Sequence, residues 1–327
     1  MSGDTRPRWR DLPEVAGTLA RSAWGVFGSD DELGTVNLLT PERAVDAAAL
    51  VRTGATYRLD LPIDQPSPPF FGREPVHHEV FALSPNVLDD RMDGFYLQGS
   101  TQWDALGHCR HGDAGFYNGF GEDDVRAGRL GIDTIAEHGV VARGVLVDAA
   151  RHREAVGRPV DAASGDLITV DDLKDALAAQ GTELHTGDVL CVRTGWMGWY
   201  LGLDSDGRQA ASERSRTHVD HALPGIGPGP EVAEWLWDSG VSMIAADNPM
   251  VEPWPLATRP DGATAPPAEM VHICVLVLLG IPLGEFFDFE ALAEACAQDG
   301  RYDFLLTSAP LRVPGGIGSP PNALAIR

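Results

Sequence analysis

Residues 98 to 108 read Gln-Gly-Ser-Thr-Gln-Trp-Asp-Ala-Leu-Gly-His. Side chains of an extended strand alternate between its faces, so Gln98, Ser100, Gln102 and Asp104 are expected on one face. The Ala-Leu-Gly turn that follows brings His108 back towards the same edge. Four polar groups in a row are costly to bury without partners. The pattern therefore reads either as the wall of a site or as a solvated strand face, and spacing alone leaves both open.

A second informative stretch begins at Pro266-Pro267-Ala-Glu269. Proline in the first turn and an acid near the positive end of the dipole predict a helix start. Met270 to Leu279 is apolar on every face except at His272, which predicts a helix buried all round and ended by Gly280. Ile281 to Glu285 reads as a short strand, and Asp288 as the cap of a helix from Phe289 to Cys296. A lone buried histidine more often bonds a backbone carbonyl than a ligand. Glu285, an acid that also emerges from apolar surroundings, shifts that balance. Asp104, His272 and Glu285 together offer one nitrogen and two carboxylates, a set that suits Zn²⁺ or Mn²⁺ with open positions. His108 is then the candidate general base or acid.

The remaining pattern is mixed. Thr40-Pro41 opens a helix to about Val51, Gly54 ends it, and Thr56 to Leu61 alternates like a strand. Pro62 to Pro75 reads as a long loop, a candidate flap over a pocket. The β-branched runs Gly144–Asp148 and Asp188–Arg193 read as buried strands around an amphipathic helix, Thr169 to Gln180. A helix from Glu231 to Ser239 and a strand from Val241 to Ala246 follow. Without a repeat or a break in composition, residues 1–327 are expected to form one α/β domain with an N-terminal extension of about 22 residues.

Composition narrows the partners. With 48 acidic against 25 basic residues the net charge is −23, which disfavours nucleic acid and anionic membrane. The N-terminus lacks the apolar core of a signal peptide, and the longest apolar run is too short to span a bilayer. The four scattered cysteines show no C-x-x-C spacing, so a disulfide scaffold or zinc ribbon is not expected, and a cytoplasmic location is.

At this point the residues support a resemblance. The 98–108 segment resembles the H-x-G-T-H-x-D-x-x-x-H signature of the cyclase superfamily of metal-dependent hydrolases, which includes kynurenine formamidases and isatin hydrolases. Blocks in the same order extend it across the chain: Trp24-Gly, Asp31-Glu-Leu-Gly34, Asn37 to Glu42, Tyr117-Asn-Gly119, Thr186-Gly-Asp188, Arg193 to Trp196, Pro224-Gly225, Asp247-Asn248, and His272 with Glu285. The resemblance implies a swivelling β/β/α fold, a mixed sheet with surrounding helices, a homo-oligomer (dimer or tetramer) and a divalent metal whose water opens a cyclic amide or lactone. It implies that Asp104, His272 and Glu285 bind metal and that His108 moves protons. The first two histidines of the signature are Gln98 and Gln102 here, and its glycine is Ser100. An amide oxygen binds a divalent ion more weakly than imidazole, so one metal is expected, with Gln102 a weak ligand and a slight lean from Zn²⁺ towards Mn²⁺.

Other features are weighed against this site. Gly225 to Gly229 lacks phosphate-loop spacing, and no G-x-S-x-G elbow is present. Cys109 beside His108 is a poor nucleophile candidate, since sequence neighbours point apart. Trp103, Tyr117 and Trp196 read as packing residues able to wall an aromatic pocket, and His78 as exposed. Expected substrate contacts are Gln98, Trp103, Tyr117 and His78. Against the hydrolase stand a metal-dependent lyase or dehydratase, and a non-catalytic binding protein on a decayed site.

Overall fold

The fold is described by a computed structural model covering residues 5–16, 18–256 and 266–327. In chain order its strands are β1 (Thr56–Arg58), β2 (His77–Ser84), β3 (Val87–Asp93), β4 (Gln102–Asp104), β5 (Val140–Asp148), β6 (Leu167–Ile168) and β7 (Val189–Arg193). Then come β8 (Gly225–Ile226), β9 (Met243–Ala246), β10 (Leu283–Glu285), β11 (Asp303–Ser308), β12 (Gly318–Ser319) and β13 (Leu324–Ile326). Nine of them form one mixed sheet in the order β1-β13-β11-β5-β7-β9-β10-β4-β12. The central pairs β5–β7, β7–β9 and β9–β10 are parallel, and β4 runs antiparallel to both β10 and β12.

Alternation along β5, β7 and β9 explains the two cores. Val145, Val147, Leu190, Val192, Ile244 and Ala246 face one layer, with the helices Val170–Gln180 and Pro230–Ser239. Leu146, Val189, Cys191, Met243 and Ala245 face the other, with the helix Glu290–Asp299. Strands covered on both faces read as unbroken apolar runs, which is why β5 and β7 were legible. Thr169 caps Val170–Gln180 through a capping box with Asp172, and Thr40 caps Pro41–Ala48, as their spacing predicts.

Three expectations need correction. The strand expected from Gln98 begins only at Gln102, because the chain bends through Gly99–Thr101, where Thr101 Oγ1 accepts from Leu61 N and donates to Phe286 O. The strand after Gly54 is confined to Thr56–Arg58. The helix expected from Pro266 is a 3₁₀ turn, Pro267–Glu269, closed by extended Met270, followed by a π-helical segment, His272–Val277. Glu252 imposes that break, since its Oε2 accepts the Val271 N–H at 2.8 Å and so caps the segment. Gly280 ends it with φ +68°, and a Cβ there would collide with the Tyr117 ring.

The proline-rich loop is pinned rather than a free flap. Phe71 N donates to Ser215 Oγ (3.0 Å), Ser212 Oγ donates to Pro69 O (2.6 Å), and Phe70 stacks on Phe286 with ring centroids 5.8 Å apart. Among the described residues no helix is long and apolar enough to cross a membrane.

Candidate metal centre

Antiparallel pairing sets Gln102 directly opposite Glu285, so both side chains leave the same face of the sheet. Gln102 Nε2 donates to Glu285 Oε2 at 2.5 Å. Two residues on, Asp104 projects from that face and is fully buried. Gln98, although outside the strand, folds back so that its Nε2 donates to Asp104 Oδ1 (2.6 Å) and lies 3.2 Å from His108 Nδ1. The two glutamines that replace signature histidines therefore hold the acids in place through their amide N–H groups.

The π-helical segment brings in His272. Its Nδ1 lies 2.7 Å from Glu252 Oε1, while Nε2 lies 3.3 Å from Glu285 Oε1 and 3.7 Å from Asp104 Oδ2. One ring nitrogen is thus oriented by an acid and the other is presented to two carboxylates, an arrangement typical of a metal-ligating histidine. π-Helical turns widen the helix locally and occur often at functional sites. Glu252 escaped sequence reading. The only signal available was the need of a ligating imidazole for an acceptor on its second nitrogen, which names no partner.

The electrostatics call for a cation. Burial alone would lower the His272 pKa, but the carboxylates of Asp104, Glu252 and Glu285 outweigh it and hold the ring well above its ordinary value. Burial likewise opposes ionisation of Asp104, yet facing His108 and hydrogen-bonded His272 keep its carboxyl low. Glu285 goes the other way: burial, with Asp104 beside it, pushes it up despite His272. Three acids around one imidazole leave excess buried negative charge, which is expensive without a counter-ion.

Two oxygens have no hydrogen-bond partner there, Asp104 Oδ2 and Gln102 Oε1, and both are buried. Donor atoms of Asp104, His108 and His272 all lie within 4.8 Å of one another. The residues present therefore fit a divalent ion held by carboxylate and imidazole. His108 is about a quarter exposed, with Nε2 4.0 Å from Asp104 Oδ1, which leaves it open to a substrate.

The other expected contacts lie elsewhere. Trp103 leaves the opposite face of β4, donating to Ser308 Oγ (2.9 Å) and packing on Phe287. Tyr117 is buried, its hydroxyl donating to Asp31 Oδ2 at 2.8 Å. His78 is exposed on the β2–β3 hairpin and pairs with Asp90. Among the described residues, none of the three makes a hydrogen bond, ion pair or ring contact with Asp104, His108, His272 or Glu285. For Trp103 and Tyr117 the cause is burial in the core, and for His78 it is the outward hairpin. Burial pushes the Cys109 thiol up to about 11, which keeps it protonated and poorly nucleophilic at neutral pH.

Comparison with known proteins bears on the fold that carries this site. The Cyclase family model matches residues 45–253. A crystal structure of a novel cyclase is 36% identical, with 94% of this chain and 99% of that one covered at a TM-score of 0.78. Isatin hydrolase A from Labrenzia aggregata, bound to benzyl benzoate, shares the fold at 17% identity and a TM-score of 0.54, over 85% of this chain and 94% of that one. An isatin hydrolase bound to the product analogue thioisatinate does so at 16% identity and a TM-score of 0.52, over 88% and 98%. No curated protein matches the sequence.

Proposed function

Since the chain belongs to the cyclase family, we propose that it is a metal-dependent hydrolase that opens a cyclic amide or lactone. Asp104, His272 and Glu285 would hold one divalent ion, Mn²⁺ or Zn²⁺, with Gln102 Oε1 as a weak further donor. The observation that carries this reading is the buried, unpartnered Asp104 Oδ2 facing His272 Nε2, whose other nitrogen is fixed by Glu252.

When bound, the ion supplies Lewis acidity and charge at the carbonyl being opened. The protein's own groups do the rest. His108, held by Gln98 and within reach of Asp104, takes the proton of the attacking water and returns it to the departing nitrogen or oxygen. Gln98 and Gln102 keep both acids aimed inward, and Glu252 keeps His272 in one orientation.

The test is ring opening of a panel of lactones and cyclic amides by protein supplied with Mn²⁺ or Zn²⁺, in water enriched in oxygen-18. Label entering the product carboxylate stoichiometrically supports hydrolysis. Turnover without label supports the lyase alternative and overturns this reading.

A further inference from the structure

A cleft of about 630 Å³ opens to solvent beside the start of the parallel pair β5–β7, and no residue of the proposed metal centre lines it. Its volume is that of a small-molecule site. The helices Val170–Gln180 and Glu290–Asp299 end on it, at Gly181 and Gly300, and the negative ends of both draw cations there. Arg52, Arg143, Arg301 and His185 line it, in a chain with only 25 basic residues against 48 acidic.

The three arginines differ in what they hold. Arg143 is saturated: Nε donates to Asp303 Oδ2 (3.2 Å), Nη1 donates to Asp188 Oδ2 (3.0 Å) and lies 2.8 Å from His185 Nδ1, and Nη2 donates to Glu183 O (3.2 Å). A guanidinium can only donate, so His185 Nδ1 accepts and the ring proton sits on Nε2. Burial, with Arg143 beside it, holds the His185 pKa below its ordinary value, so the ring stays neutral and keeps that N–H to offer. Arg301, by contrast, donates once from its side chain, from Nη2 to Leu50 O at 3.0 Å. Arg52 is exposed and makes no side-chain hydrogen bond, and neither it nor Arg301 forms an ion pair among the described residues. Asp303 is engaged by Arg143, which leaves Glu183 as the one uncommitted carboxylate lining the cleft.

Two guanidinium forks and an imidazole N–H outnumber that single acid. Arginine forks match the oxygens of carboxylate and phosphate groups alike. A phosphate monoester presents three terminal oxygens on one centre where a carboxylate presents two, so three donors on one cleft suit the phosphate better. We propose that this cleft binds a small phosphate monoester, with Arg52, Arg301 and His185 on its oxygens and with Leu177 and Tyr302 along its carbon skeleton. The site is separate from the metal centre and does not depend on the reaction proposed there.

The probe is ribose 5-phosphate, with ribose and succinate as comparisons, titrated calorimetrically into the protein with and without added Mn²⁺. Losing a hydrogen bond to a charged group costs about 10- to 100-fold in affinity, and Arg301→Gln is expected to weaken the phosphate by at least the lower figure. Exposed charges count for less, so Arg52→Gln should weaken it about two- to fivefold, and Glu183→Gln, which removes a like charge, should tighten it by about the same factor. Thermal melts on the same samples identify any unfolded variant. Wild type that fails to bind the phosphate, or binds ribose as tightly, overturns the proposal. So does an affinity unmoved by Arg301→Gln and Glu183→Gln in folded protein. Binding that requires Mn²⁺ would place the phosphate at the metal centre, and succinate binding more tightly would make the ligand a carboxylate; either result also overturns it. If Arg301→Gln is unfolded, Arg52→Gln and Glu183→Gln decide: opposite shifts support the site, and equal affinities overturn it.

Discussion

The two halves of the site are built differently. The strand half, Gln98 to His108, has amides where the family signature has imidazoles, and those amides spend their N–H groups on the acids. The C-terminal half carries an imidazole, an acid paired with one of its nitrogens, and a second acid opposite the other. Under the proposed function, metal affinity rests on the C-terminal half, while the strand half supplies one carboxylate and a histidine to carry the proton.

The first way to break that division is at His108. Its distance from Asp104 would allow it to be a ligand, whereas the proposed role is that of a proton carrier. His108→Ala should lower turnover by about 10²- to 10⁴-fold while metal content stays at the wild-type level. Loss of the metal together with activity would move His108 into the ligand set.

Glu252 tests the other half. Substitution of a group that orients a ligating histidine typically costs 10- to 100-fold in metal affinity, so Glu252→Gln should release Mn²⁺ to a chelator at about that lower concentration. Unchanged affinity would mean that Glu252 only caps the π-helical segment. Gln102→His restores one signature imidazole and removes the amide that holds Glu285. The expected result is a gain in Zn²⁺ affinity of about tenfold, read by competition titration. No gain, or a loss, would show that the amide's grip on Glu285 matters more than the donor it offers.

How much of this was legible in sequence follows the same divide. Buried strands and capped helices announced themselves, because apolar runs and Thr-Pro or Thr-x-x-Asp spacings are local signals. Asp104 was legible as the end of a polar row on one strand face, and His272 and Glu285 as polar groups in apolar company, aided by the family signature. Trp103 and Tyr117 read as packing residues and are packed in the core, but chemistry alone left a pocket role open: an aromatic side chain serves a core or a pocket equally well, and only strand facing and the Tyr117–Asp31 bond decide. Glu252 depends on where its loop returns, and nothing local to the residue encodes that. The π-helical segment was hidden for a similar reason, since a tertiary cap from a distant loop broke a pattern that reads as plain helix.

The smallest expected effect lies outside both halves. His221 is buried against Phe71 and Trp254, and its Nε2 has no partner. Burial, with His218 and Arg214 nearby, lowers its pKa to about 4 from the ordinary 6.5. Between those values the unfolded chain binds a proton that the folded chain refuses, so stability falls as pH drops from about 6.5 to about 4. His221→Gln should flatten that part of the thermal-stability profile by a few degrees. A profile of unchanged slope would show that the ring is protonated in the fold.

The proposed function stands or falls with one divalent ion between the two halves, held by Asp104, His272 and Glu285. Its most direct test is elemental analysis of protein purified without chelator and dialysed against Mn²⁺ or Zn²⁺, for wild type and for folded Asp104→Ala. One ion per chain is expected in the wild type and almost none in the variant. An empty wild type, or a variant that keeps its full ion, would contradict it.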